Sequence, residues 1–382
     1  MKKAVMYGGG NIGRGFIGKV FSDSGYEVCF LDIAEPLIEE MNRRGSYTVR
    51  VVSNAEAVDA AVRNVRAVHA STEQALSEIA GCDVMATAVG VNILPKIAPV
   101  IAKGAARRMR ESGRPLDVLL CENQLEADKL MRGWINACLT DAERVWADEN
   151  LGLVEASIGR MVPPLTLEER AKDGLLICVE PYAELPVDSA AFRGEIPALV
   201  GLVPYSPFGF YIKRKLFVHN MGHAMVAYFG HLAGMEYIWQ AVADPAVLER
   251  ARAAMAASGE ALIREYGEQM RENVEANIDD LLLRFGNLAL RDTVSRVGAD
   301  PVRKLRRNDR LVGAALYCLE QGVDPAPIVG GILAALRFDR ADDPAARELQ
   351  KALREDGVDH VLEHYLGLRP DEPLWGLIRS KV

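Results

Sequence analysis

Gly8, Gly10 and Gly13 follow the spacing G-x-G-x-x-G, directly after a short apolar run and before residues that recur at helical spacing. That spacing has a mechanical use. One glycine makes the turn, one lets the backbone approach a pyrophosphate, and one lets helix pack on strand. Gly9, Asn11 and Ile12 complete the turn. The amides of Asn11 and Ile12 open a helix whose positive end suits a phosphate. Asp32 stands 19 residues beyond Gly13, at the end of the next apolar run, where its carboxylate can accept both hydroxyls of a ribose. A carboxylate there repels the 2′-phosphate of NADP, and Ile33 and Ala34 bring no cation to hold it. NAD is therefore the expected cofactor.

A second group lies far along the chain, in Lys213-Arg214-Lys215-Leu216-Phe217-Val218-His219-Asn220-Met221-Gly222-His223. On an α-helix Lys215, Asn220 and His223 fall at about 0°, 140° and 80°, with His219 inside the same arc. Hydride transfer from a carbinol needs a base for the hydroxyl proton and a donor to steady the oxygen. A desolvated lysine can serve as the base, an asparagine as the donor, and a histidine can orient the substrate. From spacing alone, a solvated helix face is the better explanation of the basic triplet, since such spacing is easily met by accident.

The elements that position these residues follow from periodicity. Ala4 to Tyr7, Glu27 to Leu31, Cys82 to Val89, Leu116 to Cys121 and Leu153 to Ile158 read as strands. Helical patterns run through Ile12 to Phe21 and Leu94 to Glu111. Such alternation predicts an α/β fold with a doubly wound, mostly parallel sheet, whose ligands lie at the carboxyl ends of the strands. Thr87, Gly90, Glu122 and Asn123 then face that crevice. Leu175 to Tyr182 and Ala183 to Val187 read as extended chain, forming an antiparallel extension of the sheet. Beyond Phe208 no strand pattern appears, while Lys213 to Phe229, Ala246 to Tyr266, Asp309 to Gln321 and Ala345 to Leu366 read as helices. Two domains are expected, a dinucleotide-binding domain over 1–195 and a mainly α-helical substrate and catalytic domain over 196–382.

Composition narrows the function classes. Of 382 residues, 49% are apolar and 26% charged, an ordinary globular balance, and the net charge of -8 argues against nucleic-acid or anionic-membrane partners. The six cysteines form no C-x-x-C pair, and His360 with His364 lack the glutamate of a zinc-protease helix, so no metal is expected. Met-Lys-Lys leads straight into a strand and no apolar run is long enough to span a bilayer, which points to a cytoplasmic protein. Arg303 and Lys304 head a basic run that could hold a substrate phosphate; a solvated helix end balanced by Asp309 explains the run as well. Met221, Met225 and Met235 read as core packing.

Taken together, these residues give the chain a resemblance to the polyol-specific long-chain dehydrogenases. It rests on Gly-Asn-Ile-Gly-Arg-Gly-Phe-Ile-Gly from Gly10 to Gly18, on K-x4-N-x2-H at Lys215, Asn220 and His223, and on Cys121-Glu122-Asn123. Met161-Val162-Pro163-Pro164, Arg284-Phe285 and Arg303-Lys304-Leu305 add to it. The likeness spans nearly the whole chain, and the length suits the short bacterial sugar-phosphate members. It implies an N-terminal Rossmann-type domain, a mainly α-helical C-terminal domain and no metal. It also implies Lys215 as general acid/base, with Asn220 and Asn123 holding the oxyanion. The implied reaction is NAD-dependent interconversion of a sugar alcohol phosphate and its ketose phosphate, by a monomer or homodimer. Two positions depart from the family pattern. Gly159 stands where V-D-R-I-x-P-P carries aspartate, and His219 stands at an apolar position. Both leave room for a related polyol or hexuronate dehydrogenase of the fructuronate or tagaturonate type. Gly159 also leaves room for an NAD-binding sensor without catalysis.

Overall fold

The computed structural model describes residues 1–122, 124 and 126–382, which form two compact units, Met1–Gly209 and Phe210–Val382. The first unit holds the strands β1 (Lys3–Tyr7), β2 (Glu27–Asp32), β3 (Ser46–Val52), β4 (Ala57–Arg63), β5 (Val65–His69), β6 (Val84–Thr87), β7 (Leu116–Leu120), β8 (Leu151–Glu155), β9 (Ile177–Val179), β10 (Leu185–Asp188) and β11 (Leu202–Tyr205). Six of them make one parallel sheet in the order β5-β2-β1-β6-β7-β8. Numbered among themselves along the chain, these six stand in the order 3-2-1-4-5-6, the doubly wound Rossmann arrangement. The strand order reverses between β1 and β6, so the residues just past Tyr7 and Thr87 border the switch point, where such sheets bind ligands.

Alternation within each strand divides the core. Ala4, Met6, Val28, Phe30, Leu119 and Val154 face one layer, in which Phe16, Ile17 and Phe21 are buried. Val5, Tyr7, Cys29, Leu31, Val118 and Leu120 face the other, packed on Ile79, Ile97 and Ile101. Burial on both faces explains why these strands read as continuous apolar runs. Each large side chain so buried contributes about 1.5–3 kcal/mol of transfer free energy.

The structure departs from the sequence reading in several places. β3 and β4 form an antiparallel hairpin that sequence periodicity did not announce, and β5 is one of the two edge strands of the main sheet. Residues 175–187 do not extend the main sheet as an antiparallel ribbon. Instead β9 runs parallel to β3 in a separate three-stranded sheet, and β10 pairs in parallel with β11. Among the described residues, a single antiparallel bridge from this stretch, Ala156 with Val187, matches the expected pairing direction.

The second unit is helical. Pro245–Tyr266, its longest helix, starts at Asp244, whose carboxylate accepts the amides of Ala246 and Val247, and ends at Gly267 with φ 100°. It packs against Met221–Leu232, with Gly222 leaving room for Met255. Met221 and Met225 are fully buried, whereas Met235 lies half-buried beyond the helix end. The helix expected over Ala345 to Leu366 is two helices, Pro344–Glu355 and Gly357–His364, parted where Gly357 takes φ 85°. Among the described residues, no helix is long and apolar enough to cross a membrane, and no cluster of three or more His, Cys, Asp or Glu could hold a metal.

Candidate active site

In the first unit the glycine turn is held from inside. Gly8 takes φ +102°, and a Cβ there would lie 2.6 Å from the Ala88 carbonyl oxygen; a Cβ on Gly13 would lie 1.9 Å from the Gly8 carbonyl oxygen. Around Gly10, by contrast, a Cβ would meet nothing within 4 Å, and Gly10 and Asn11 are exposed. Gly8 and Gly13 are therefore required by the turn itself, whereas Gly10 is not. Its missing side chain makes sense when a ligand approaches that backbone.

Arg14 sets the direction of the peptides. Its Nε donates to the Gly9 carbonyl at 2.7 Å and its amide to the Gly10 carbonyl at 3.0 Å. In a planar trans peptide the N–H points opposite to the C=O, so the amides of Gly10 and Asn11 turn away from Arg14. The guanidinium is buried, which lowers its pKa, and it is anchored further by the carbonyls of Leu175 (2.7 Å) and Gly174 (3.3 Å). After the turn, Gly13–Ile17 forms a π-helical turn before the α-helix Gly18–Asp23. Asp32, at the end of β2, is fixed through both oxygens. Oδ2 accepts the Gly9 amide at 2.6 Å, and Oδ1 accepts those of Ile33 (2.7 Å) and Ala34 (3.0 Å).

Thr87 ends β6 fully buried, and its hydroxyl donates to Glu122 Oε2 at 2.8 Å. The other Glu122 oxygen accepts the Val89 amide at 3.0 Å, and burial raises the pKa of this carboxyl. Thr87 thus braces Glu122, while Gly90, at φ +89°, carries the chain past it. Asn123 lies outside the described residues. Gly159 faces Tyr182, whose Cε1 would lie 3.1 Å from an added Cβ. Arg160 beside it is buried over the Phe16 ring at 5.4 Å and donates to the Glu180 carbonyl.

In the second unit the Lys215 stretch is not a plain α-helix. Arg214–Asn220 is a π-helical segment between Gly209–Lys213 and Met221–Leu232. Its i→i+5 bonding brings Asn220 round toward Lys215, which an α-helix would leave about 140° apart. Lys215, His219, Asn220 and His223 are all half-buried by residue. Burial, and then Arg284, His223, Lys215 and Arg214, push His219 well below the ordinary histidine range, so it is neutral. His223 stacks on Phe285 with centroids 4.7 Å apart and planes 9° apart, and its Nε2 lies 3.5 Å from Asp292 Oδ2. Arg303 pairs with Asp300 at 3.0 Å. Lys304 is buried, its ammonium donates to the Ala299 carbonyl, and burial lowers its pKa to about 8.

The family model for the mannitol dehydrogenase Rossmann domain matches residues 2–201, and that for the mannitol dehydrogenase C-terminal domain matches residues 209–367. The chain belongs to the mannitol dehydrogenase family. That membership makes it an oxidoreductase of the NAD-dependent polyol dehydrogenases. Among solved structures the fold is similar to Pseudomonas fluorescens mannitol 2-dehydrogenase in a ternary complex with NAD and D-mannitol. That match has a TM-score of 0.74 and 15% identity, covering 99% of this chain and 90% of that one. A substrate-free D-sorbitol dehydrogenase matches with a TM-score of 0.73 and 16% identity, covering 93% of this chain and 94% of that one.

Within this mannitol dehydrogenase family chain, two residues of consequence escaped the sequence reading. Arg14 lies in the quoted glycine signature, but nothing in its spacing says that its side chain folds back onto Gly9. Asp292 carries a weak signal, an i,i+4 pairing with Arg296.

Proposed function

We infer that the chain interconverts a sugar alcohol and its ketose by NAD-dependent hydride transfer, with D-mannitol 1-phosphate and D-fructose 6-phosphate as the substrate pair. The cofactor-binding part belongs to 1–195 and the catalytic part to 196–382. The observation that carries the reading is Lys215, Asn220 and His223 on one π-helical turn and the helix after it, inside the unit that the family's C-terminal model matches. The dinucleotide fits the first unit: Gly10 is open to backbone approach, and Asp32 is fixed at the end of β2 with no cation at Ile33 or Ala34. Gly8, Gly9, Gly10, Asn11, Ile12, Gly13 and Asp32 would hold it, with Gly90 near the switch point. When bound, NAD supplies the hydride acceptor.

Lys215 takes the hydroxyl proton of the alcohol as hydride leaves its carbon, and returns a proton in the reverse direction. Asn220 and Asn123 donate to the oxygen as charge builds on it, and His223 orients the substrate. Lys215→Met should lower kcat by about 10²–10⁴-fold while leaving NADH affinity unchanged. Turnover of NADH with fructose 6-phosphate, fructose and a keto-uronate tests the substrate, and no turnover with fructose 6-phosphate sinks the phosphate reading.

One observation favours the second reading, an unphosphorylated polyol or a hexuronate. Arg303 and Lys304, the cations expected on a phosphate, are engaged by Asp300 and by the Ala299 carbonyl. A phosphate at Arg303 would have to compete with Asp300 for it.

A further inference from the structure

His223 is fixed in two directions. Its flat contact with Phe285 sets the plane of the ring, and Asp292 meets one edge, with Oδ2 3.5 Å from Nε2. Asp292 is itself held. Arg296, four residues on, donates to its Oδ1, and its backbone carbonyl accepts the Ile238 amide at 2.9 Å. Burial alone would raise this carboxyl, but His223 and Arg296 outweigh burial and keep it below the usual range, so it is ionised. An ionised carboxylate can only accept hydrogen bonds. A neutral imidazole facing it must present Nε2–H, which leaves the lone pair on Nδ1. At 3.5 Å the contact is longer than a formed hydrogen bond, yet the fixed negative charge beside Nε2 is enough to choose between tautomers.

We propose that Asp292 is a positioning residue that holds His223 as the Nε2–H tautomer, so that Nδ1 accepts a hydrogen bond from a substrate hydroxyl. Arg296 occupies the other carboxylate oxygen, Oδ1. The proposal rests on the reading of His223 as a group that orients substrate, and it adds the atom through which His223 does so. The logic matches other sites in which a buried carboxylate fixes a histidine tautomer without taking up the proton.

The test is a long-range ¹H–¹⁵N spectrum of histidine-labelled protein at pH 9, recorded without substrate, together with steady-state kinetics. Wild type should show His223 as Nε2–H. In Asp292→Asn the single amide oxygen stays with Arg296 and the NH₂ turns to Nε2, so the tautomer inverts to Nδ1–H. Turnover then falls about 10- to 100-fold with NADH affinity unchanged. Arg296→Met leaves the carboxylate in place and should keep the wild-type tautomer. Three results overturn the proposal: a wild-type Nδ1–H ring, an unchanged tautomer in Asp292→Asn, or inversion with no loss of turnover. A residue that only packs would lower the melting temperature and leave the tautomer alone. Should Asp292→Asn fail to fold, the spectra of wild type and Arg296→Met decide. The tautomer is read without substrate, so absence of turnover with every polyol tried would sink the dehydrogenase reading and leave the Asp292 assignment to the spectrum.

Discussion

Gly10→Ala and Gly13→Ala, three residues apart in one motif, should fail in opposite ways. At Gly13 the new methyl would sit 1.9 Å from the Gly8 carbonyl oxygen, a backbone atom that cannot rotate aside. Overpacking of this kind costs about 1–3 kcal/mol, and a backbone obstacle puts it at the upper end. For a unit of this size that is a fall in melting temperature of about 6–12 °C. At Gly10 the methyl meets nothing within 4 Å, so the fold should be untouched, or firmer by a few tenths of a kcal/mol through the unfolded chain. What Gly10→Ala should lose is the close approach of a pyrophosphate to the turn. One charge-assisted hydrogen bond is worth about 1.5–3 kcal/mol, or about 10- to 100-fold in NADH affinity. Thermal unfolding by circular dichroism and titration of NADH fluorescence separate the two. Gly10→Ala binding NADH as wild type does, or Gly13→Ala melting with wild type, would refute the reasoning.

Three further outcomes are expected. Asp32→Ala removes the acceptor for three amides and the charge that repels a 2′-phosphate, so the NADH-to-NADPH ratio of kcat/KM should drop at least tenfold; an unchanged ratio would show that Asp32 does not choose the cofactor. Thr87→Val strips a donor from the buried Glu122, costing about 1–3 kcal/mol, read as a lower urea midpoint. Burial, then Asp128, raises Glu155 to about 7 in the folded protein. A raised carboxyl contributes stability that is full below its unfolded value and is lost as pH climbs through the folded one. Wild type should therefore lose melting temperature between about pH 4.5 and 7 in a way that Glu155→Gln does not; parallel curves for the two would rule this out.

The sheet was legible where both faces of a strand are buried, because an uninterrupted apolar run such as Val28 to Leu31 has few other uses. β3, β4 and β5 were not, and the reason is charge. Arg50 in β3 lies opposite Asp59 in β4 and pairs with it at 2.7 Å, while Arg66 in β5 pairs with Glu27 and Glu78. Read singly, each charge argues against a strand; only the pairing across chain segments makes it a strand contact. The parallel mate of β9 is equally remote, since β3 lies more than a hundred residues earlier, and no local periodicity can name it.

The candidate site shows the same division between local and distant information. The glycine spacing and the Lys215, Asn220, His223 pattern are local, so they could be read, although the assumed 100° step was wrong for the π-helical segment that carries Lys215. Both candidate sites contain such a widened turn, Gly13–Ile17 behind the glycine loop and Arg214–Asn220 under Lys215. A π turn costs hydrogen-bond geometry and tends to persist where function needs a helix face re-aimed. At the second site the re-aimed group is Asn220, brought round toward Lys215. At the first, the π turn gives way to Gly18, where a Cβ would come 2.5 Å from Phe30 and 2.8 Å from the Tyr47 hydroxyl, so the helix after the turn lies close on the sheet. Widening the turn lets Arg14 reach back to Gly9 while that packing is kept. Arg14 therefore sets the Gly9 and Gly10 peptides from within the turn, much as Asp292 meets the His223 ring from a segment remote in sequence. In each case the residue that fixes the geometry is not the one the motif names.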